Sequence, residues 1–240
     1  SLRRIFSKVN PDEVYHLAGQ SHVALSFEIP ELTTHEIANA TLKLLEICRD
    51  QAKPPKIYLA GSSEIFGHAK ESIQTEKTEF NPTSPYGVCK AFCVQMGKVY
   101  RSGYGMHVSN GILYNHESPR RGENFVTQKI IRGAASIAKG KSEFLELGNL
   151  EIERDWGYAP DYVLGMWMML QQEKGADYVL ATGKTHKLLD FLQLSFEYFG
   201  LDHQKHIRIN PKFVRPNEPV QLCGDSSKAQ NILGWKPSVP

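Results

Sequence analysis

"KIYLAGSSEIFG" (residues 56–67) begins as an apolar run and ends in a polar loop that carries a carboxylate, Glu64. Residues 57–60 predict a strand buried on both faces, because a half-exposed strand would alternate polar and apolar side chains. Similar runs occur at residues 13–19 (EVYHLAG) and 107–115 (HVSNGILYN). Strands of this kind predict a parallel sheet that is covered by helices on both sides.

Two helical patterns lie between these strands. Residues 31–50 place apolar side chains at helical spacing, namely Leu32, Ile37, Ala40, Leu44 and Ile47. In residues 84–105, Ser84 suits the N-cap and Pro85 suits the first helical turn. The alternation predicts an α/β fold with a doubly wound parallel sheet. Beyond residue 115 the pattern loosens, and we expect a smaller C-terminal lobe in which residues 166–170 (MWMML) fill the core.

A polar segment follows each of the three predicted strands. These segments are residues 17–21 (LAGQS), 61–67 (GSSEIFG) and 114–125 (YNHESPRRGENF). Because ligands of open parallel sheets bind beyond the carboxyl ends of the strands, we expect the three segments to meet at one site.

The composition argues against several classes of protein. The 240 residues are 41% hydrophobic and 22% charged, and the net charge of +2 gives no reason to expect nucleic acid as a partner. No apolar run reaches the ~20 residues of a membrane span, and we see no secretory leader, so we expect no membrane partner and a cytoplasmic location. The 4 cysteines lack zinc or redox spacing and the 9 histidines do not cluster, so we predict free thiols and no metal.

Tyr86 and Lys90 lie four residues apart near the start of the second predicted helix, so their side chains share one face. A lysine ammonium beside a phenol favours the phenolate, which is a competent base for a sugar hydroxyl. By itself this spacing is a weak signal, since a surface lysine beside a packed tyrosine gives the same pattern.

The combination of Ser62, the capped Tyr86–Lys90 helix and the alternating strands resembles the signature of the extended short-chain dehydrogenases/reductases, which act on nucleotide sugars. The resemblance implies a Rossmann-like fold. It also implies that Ser62 hydrogen-bonds the reacting hydroxyl, that Tyr86 accepts its proton, and that Lys90 holds the nicotinamide ribose and favours the tyrosine anion. Longer motifs are similar to the branch of this family that dehydrates GDP-mannose; they are residues 13–28, 110–130, 147–163 and 213–237.

Glu64 separates dehydration from plain hydride transfer. Family members that dehydrate nucleotide sugars carry a glutamate two residues after the catalytic Ser or Thr, and 4-epimerases do not. A carboxyl group in a closed site can take the proton from carbon 5 and protonate the hydroxyl that leaves carbon 6. The resemblance thus implies a lyase of deoxysugar biosynthesis that converts GDP-mannose to GDP-4-keto-6-deoxymannose. Taken alone, Glu64 could equally be an exposed or salt-bridged loop acid.

The remaining site residues follow from the resemblance, motif by motif. The cofactor NADP would be bound by Leu17, Ala18, Gly19, Gln20, Ser21, Tyr86, Lys90, His116 and Arg121. An arginine suits NADP over NAD, because a guanidinium can bind a phosphate group bidentately. The nucleotide sugar would be held by Asn115, Val126, Arg154, Arg215 and Glu218. Arg154 has an alternative role, since it could simply pair with Asp155 or Asp161.

The sequence departs from the family at one important point. The Gly-rich phosphate loop with which this fold opens is not among the 240 residues, so we expect roughly a third of the cofactor site to be missing. We therefore predict an N-terminally incomplete NADP-binding Rossmann domain at residues 1–115. Residues 116–240 would form a lobe that mainly binds the nucleotide sugar, with segments returning to the first domain. The resemblance further implies a homodimer or homotetramer.

Two other interpretations stay open from the sequence. The chain could be a related nucleotide-sugar epimerase or 4-keto reductase, which the mass of the product would distinguish from a dehydratase. It could also be a non-catalytic fragment that binds the nucleotide sugar without the dinucleotide cradle, which a test of NADP(H) binding would reveal.

Overall fold

A computed structural model describes residues 1–239 of the chain, so Pro240, the last residue of the predicted second lobe, lies outside the described residues. The strands are β1 (Glu13–His16), β2 (Lys56–Ala60), β3 (Val108–Leu113), β4 (Asn115–Glu117), β5 (Leu145–Leu147), β6 (Glu153–Tyr158), β7 (Asp177–Leu180), β8 (Thr185–Lys187), β9 (Ile207–Ile209) and β10 (Gln221–Leu222). The α-helices are α1 (Leu2–Val9), α2 (Leu25–Glu28), α3 (Pro30–Thr34), α4 (Ala40–Arg49), α5 (Pro85–Tyr104), α6 (Val126–Ala138), α7 (Ala159–Gln171), α8 (Leu188–Glu197), α9 (His203–His206) and α10 (Ser227–Leu233).

The main sheet is parallel and has the strand order β1-β2-β3-β7. Alternate side chains of β2 enter two different cores. Ile57 and Leu59 pack with residues of α4 and α5 on one face of the sheet. Tyr58 packs with residues of α7 and α10 on the other face. The predicted doubly wound α/β sheet is therefore confirmed.

The local signals of α5 also act as predicted. Ser84 Oγ accepts a hydrogen bond from the Gly87 backbone N–H at 3.0 Å, and Pro85 is the first helical residue. Gly105 ends the helix with a left-handed φ of 65°. A residue with a side chain adopts this conformation only at a cost, so the glycine fixes where α5 stops.

A π-helical turn (His35–Asn39) joins α3 to α4, and the buried residue of α3 is Thr33, while Leu32 is 46% exposed. One predicted core position is wrong. Trp167 is 51% exposed, because α7 buries Met166, Met169 and Leu170 on one face and Trp167 lies off that face.

The residues of the predicted smaller lobe include a separate apolar core. The core is formed mainly by α6, α8 and the paired strands β5 and β9, with Ile130, Leu147 and Leu192 among its buried residues. A second small sheet has the order β10-β6-β4, and β8 pairs antiparallel with β6. Because β4 follows β3 after a single residue, this sheet starts at the carboxyl end of the main sheet.

Candidate active site

The three polar segments meet, as predicted, around a cleft of about 320 Å³ at the carboxyl ends of β1, β2 and β3. That volume is at the small end of ordinary ligand pockets. The predicted site residues that line the cleft are Leu17, Ser21, Ser62, Glu64, Tyr86, Lys90, Asn115, His116, Arg121, Val126, Arg154, Arg215 and Glu218. Residues that are far apart in the sequence therefore share one cavity.

A single turn after β2 presents both Ser62 and Glu64 to the cleft. Ser62 is the N-cap of the 3-10 turn Ser63–Ile65, and its Oγ accepts a hydrogen bond from the Glu64 backbone N–H at 3.3 Å. This local bond explains the spacing of two residues, because a serine N-cap bonds the backbone two or three positions later. The hydroxyl proton of Ser62 remains available for a ligand.

Tyr86 and Lys90 enter the cleft from the first turns of α5. The Tyr86 backbone N–H donates to Ser26 Oγ at 3.2 Å, and Lys90 Nζ donates to the carbonyl of Ala60 at 2.8 Å. Lys90 Nζ lies 5.7 Å from the centre of the Tyr86 ring. The lysine is thus fixed to the end of β2 with its charge beside the phenol.

Gly87 allows α5 to approach the Glu64 turn. A Cβ atom at this position would lie 2.7 Å from the Glu64 carbonyl oxygen, which is too close for any side chain. Glycine at position 87 therefore allows the start of α5, which carries Tyr86, to lie against the turn that carries Glu64.

A chain of ion pairs occupies the other side of the cleft. Arg154 Nη2 lies 3.2 Å from Glu218 Oε1, Arg215 Nη1 lies 3.5 Å from the same oxygen, and Arg215 Nη1 lies 3.8 Å from Glu64 Oε1. Burial lowers the pKa of Arg154, while the carboxylates of Glu64 and Glu218 oppose that shift. Glu218 therefore holds both arginines in place.

Neither aspartate that the sequence offered as a partner pairs with Arg154. Asp155 accepts hydrogen bonds from Thr182, Gly183 and Gly224. Asp161 accepts them from Ser238 and Val239. Arg154 instead pairs with Glu218 and donates to the backbone carbonyls of Glu153 and Val220.

His116 is held by the neighbouring strand and by an aromatic ring. Its Nδ1 lies 2.8 Å from the carbonyl of Tyr114, so Nδ1 carries the proton and Nε2 is left as an acceptor. The imidazole stacks on Tyr162 with 4.8 Å between ring centres. Burial lowers the pKa of His116, and the Arg121 guanidinium lowers it further, so the neutral ring is favoured.

Arg121 is held between an aromatic ring and a carboxylate. Its Cζ lies 3.6 Å from the centre of the Phe125 ring, and its Nε lies 3.4 Å from Glu117 Oε2. Burial raises the pKa of Glu117, and the Arg121 guanidinium opposes that shift. A guanidinium fixed in this way is suited to an anionic group such as a phosphate.

Three residues of the predicted cofactor loop do not line the cleft. They are Ala18, Gly19 and Gln20. Gln20 instead donates to Thr33 Oγ1 at 3.2 Å, and Gly19, with a φ of 136°, faces Ile37 of the π turn. Their assignment to the cofactor stays a prediction.

Several residues of the cleft were not predicted, among them His22, Val23, Asn124, Phe125, Ile152 and Trp156. The motif at residues 13–28 contains His22 and Val23, so its continuation past Ser21 was an available signal. Trp156 lies two residues after Arg154 on β6 and so faces the same side of the strand. The position of Trp156 could have been predicted only if residues 153–158 had first been recognised as a strand.

A sequence model of the family described as GDP-mannose 4,6 dehydratase matches residues 1–240. The chain belongs to this family. GDP-mannose 4,6 dehydratase 1 of Arabidopsis thaliana is 51% identical over 243 residues, covering 100% of this chain and 67% of its own length. The Drosophila melanogaster GDP-mannose 4,6 dehydratase is 45% identical, covering 100% and 65%. The chain thus spans about two thirds of the length of these family members.

Solved structures share the fold of this GDP-mannose 4,6-dehydratase family member. The dTDP-glucose 4,6-dehydratase DesIV from Streptomyces venezuelae, with NAD and TYD bound, has a TM-score of 0.88 at 20% identity and covers 99% of this chain and 72% of its own. RMD from Pseudomonas aeruginosa, complexed with NADPH, has a TM-score of 0.85 at 23% identity and covers 96% and 77%. The Rossmann-like α/β fold of the family is therefore confirmed.

Within residues 1–239, no group of three or more His, Cys, Asp or Glu side chains is arranged to hold a metal ion. No helix in this part of the chain is long and apolar enough to cross a membrane. Cys48, Cys89, Cys93 and Cys223 are buried and free, as predicted for the thiols.

Proposed function

We propose that this chain carries the catalytic and substrate-binding part of an NADP-dependent dehydratase that converts GDP-mannose to GDP-4-keto-6-deoxymannose. The observation that carries the proposal is the meeting of Glu64 with Ser62, Tyr86 and Lys90 in one cleft. An epimerase or reductase of this fold needs the serine, the tyrosine and the lysine, but has no task for the glutamate.

Tyr86 and Ser62 act at carbon 4 of the sugar. Tyr86, with Lys90 Nζ 5.7 Å from the centre of its ring, removes the proton of the carbon-4 hydroxyl. Ser62 donates its free hydroxyl proton to the same oxygen and so orients it. A nicotinamide dinucleotide, when bound, would accept the carbon-4 hydride and later supply it to carbon 6, and Tyr86 would then give the proton that it took from the hydroxyl to carbon 5.

Glu64 acts at carbons 5 and 6. The ketone at carbon 4 acidifies the hydrogen on carbon 5, and the Glu64 carboxylate removes it as a proton. The same carboxyl then gives a proton to the oxygen on carbon 6. The carbon–oxygen bond breaks, water leaves, and a double bond joins carbons 5 and 6.

The residues of this chain fit a nicotinamide dinucleotide in part. Lys90 offers an ammonium, His116 offers the unprotonated Nε2, and Arg121 offers a fixed guanidinium. We propose NADP on the strength of Arg121. Of the two solved structures described above, RMD is complexed with NADPH and DesIV has NAD bound. A direct comparison of the affinities of this chain for NADP and NAD tests the choice.

Arg154 and Arg215 would hold the diphosphate of the nucleotide sugar. Both guanidinium groups line the cleft, and both already contact carboxylates that a diphosphate can replace. Asn115 and Val126 would contact the sugar nucleotide between these groups and the catalytic residues.

The proposal is tested by the mass of the product. Incubation with GDP-mannose and NADP should give a nucleotide sugar lighter by one water molecule, measured by mass spectrometry. A product of unchanged mass would refute dehydration and favour epimerisation. Binding of GDP without any binding of NADP(H) would favour the non-catalytic interpretation.

We also propose a homodimer or homotetramer in the cytoplasm. Apolar side chains on the outer face of α5, Val88, Phe92 and Val99, are 55%, 38% and 51% exposed, which suits burial against a second copy. The free thiols suit a reducing compartment. Light scattering would report the mass of the assembly.

A further inference from the structure

Two backbone N–H groups in the first turn of α5, those of Tyr86 and Gly87, need acceptors outside the regular pattern of helical bonds. The N–H groups at the start of a helix have no partner within it, and Pro85, the first helical residue, has no N–H. Ser84 Oγ accepts from the Gly87 N–H at 3.0 Å, which is the usual role of a serine N-cap. The Tyr86 N–H is therefore left for an acceptor from another part of the chain.

Ser26, on α2, is that acceptor. Its Oγ accepts from the Tyr86 N–H at 3.2 Å and donates its own proton to the carbonyl of Val23 at 2.6 Å. Ser26 is 0% exposed, so water does not replace the hydroxyl if it is removed. A buried N–H that loses its acceptor destabilises the conformation that buries it, because it has given up its bond to water.

The hydroxyl of Ser26 joins two segments that line the cleft. Val23 lines it from the segment that follows β1, and Tyr86 lines it from α5. Lys90, one turn further along α5, is anchored separately by its bond to the carbonyl of Ala60. Because helix ends fray, the position of Tyr86 relative to Lys90 depends on what holds the first turn of α5 in place.

We propose that Ser26 is a positioning residue for Tyr86. Its hydroxyl holds the first turn of α5 against the segment that follows β1, so that the Tyr86 phenol is in place before the sugar arrives. A displacement of about 1 Å in a reacting group can lower a rate by about 10²-fold, so a single bond at this point affects the chemistry. This inference rests on the proposed role of Tyr86 as the proton acceptor.

The direct test is hydrogen exchange at the Tyr86 amide, followed by NMR in the wild-type protein. The comparison is the amide of Thr127, the second residue of α6, because the N-cap of that helix is Phe125, whose side chain cannot accept a bond. We expect the Tyr86 amide to exchange at least about tenfold more slowly than the Thr127 amide. Equal rates of exchange at the two amides would overturn the proposal.

The kinetic test is Ser26→Ala, which leaves the Tyr86 N–H without its acceptor. We expect the kcat of water loss to fall about tenfold and the Tyr86 amide to exchange faster, with the affinity for GDP unchanged. Ser109→Ala is the matched control, because Ser109 is also 0% exposed and its Oγ accepts from the Ala176 N–H at 3.4 Å. The control should lose stability but keep the wild-type kcat. Equal values of kcat in the two variants would contradict the proposal.

The two levels of inference fail separately. If Tyr86→Phe still loses water at the normal rate, the proposed role of Tyr86 is wrong, whatever holds its backbone. If Tyr86→Phe is inactive but the Tyr86 amide of the wild-type protein exchanges as fast as that of Thr127, only the present inference is wrong. The exchange test needs neither a substrate nor a variant, so it stands even where Ser26→Ala does not fold.

Discussion

The two walls of the cleft are held by different kinds of interaction. In the wall that we propose to be catalytic (Ser62, Glu64, Tyr86 and Lys90; the catalytic wall), two side chains bond to the backbone: Ser62 Oγ accepts from the Glu64 N–H, and Lys90 Nζ donates to the Ala60 carbonyl. In the arginine wall (Arg154, Arg215 and Glu218), both arginines form ion pairs with Glu218, and Arg154 also donates to the carbonyls of Glu153 and Val220.

The difference fits the two tasks that we propose. Proton transfer requires groups that are in place before the substrate arrives, and backbone contacts give that rigidity. Binding of a diphosphate requires cations that can exchange one anionic partner for another. Ion pairs of 3.2–3.8 Å can do so without disturbing a strand or a helix.

The largest expected effect is the loss of the proton carrier in the catalytic wall. Glu64→Gln keeps the size of the side chain but cannot exchange a proton, so water loss should fall by about 10²–10⁴-fold. The affinity for GDP, measured by calorimetry, should change little, because the arginine wall remains. Normal dehydration by this variant would show that Glu64 has another role.

The next effect distinguishes the two arginines. Arg154 is buried, with 5% of its side chain exposed, so Arg154→Ala should lower the free energy of unfolding by about 3 kcal/mol. Arg215 is 29% exposed, so Arg215→Ala should cost at most about 1 kcal/mol. Both variants should weaken GDP binding by about tenfold or more.

Urea unfolding and calorimetry would measure these two quantities. Lys53→Ala, which removes an exposed pair with Asp12 near the amino ends of β1 and β2, is the control and should alter neither. Equal losses of stability in Arg154→Ala and Arg215→Ala would contradict the difference in burial.

A smaller change tests how tightly the catalytic wall is packed. In Gly87→Ala the new Cβ would meet the Glu64 carbonyl at 2.7 Å, so we expect a loss of about 1–3 kcal/mol and a lower kcat with unchanged GDP affinity. Gly103→Ala on the same helix meets nothing within 4 Å and should stabilise the protein by up to about 1 kcal/mol. Thermal unfolding compares the two, and a harmless Gly87→Ala would argue against close packing at Glu64.

The smallest expected effect concerns pH. Burial lowers the pKa of His116 in the folded protein, so the unfolded chain takes up a proton first as pH falls below about 6.5. The contribution of neutral His116 to stability is therefore present above that pH and is lost as pH falls through the folded pKa.

His116→Asn should accordingly show a shallower decline of unfolding free energy with falling pH than the wild type. His16 and His22, whose pKa values are also lowered by burial, remain in both proteins and serve as the common background. Parallel pH profiles of the two proteins would mean that His116 titrates normally.

Much of the catalytic wall could be predicted from sequence because its geometry is local. An N-cap bond fixes Ser62 relative to Glu64, and one helical turn fixes Tyr86 relative to Lys90. Parallel strands then bring the two groups to the same edge of the sheet.

The arginine wall could be anticipated only by resemblance. Glu218 joins Arg154 across 64 residues, and no periodicity reports such a contact. Trp167 was misplaced for a related reason, because the face of α7 that is buried depends on what packs against the helix. His22 lies in the motif at residues 13–28 and could have been included, whereas Trp156 could be predicted only once β6 was recognised as a strand.

The chain of ion pairs also affects the rate at which a nucleotide sugar is expected to associate with the cleft. Two guanidinium groups and two carboxylates, those of Arg154, Arg215, Glu64 and Glu218, carry no net charge together. The electrostatic attraction between such a cluster and an anion is weak beyond about 10 Å in physiological salt. The contribution of this cluster to the rate of association should therefore depend only weakly on ionic strength, and its selectivity for the diphosphate should appear at short range, in the rate of release.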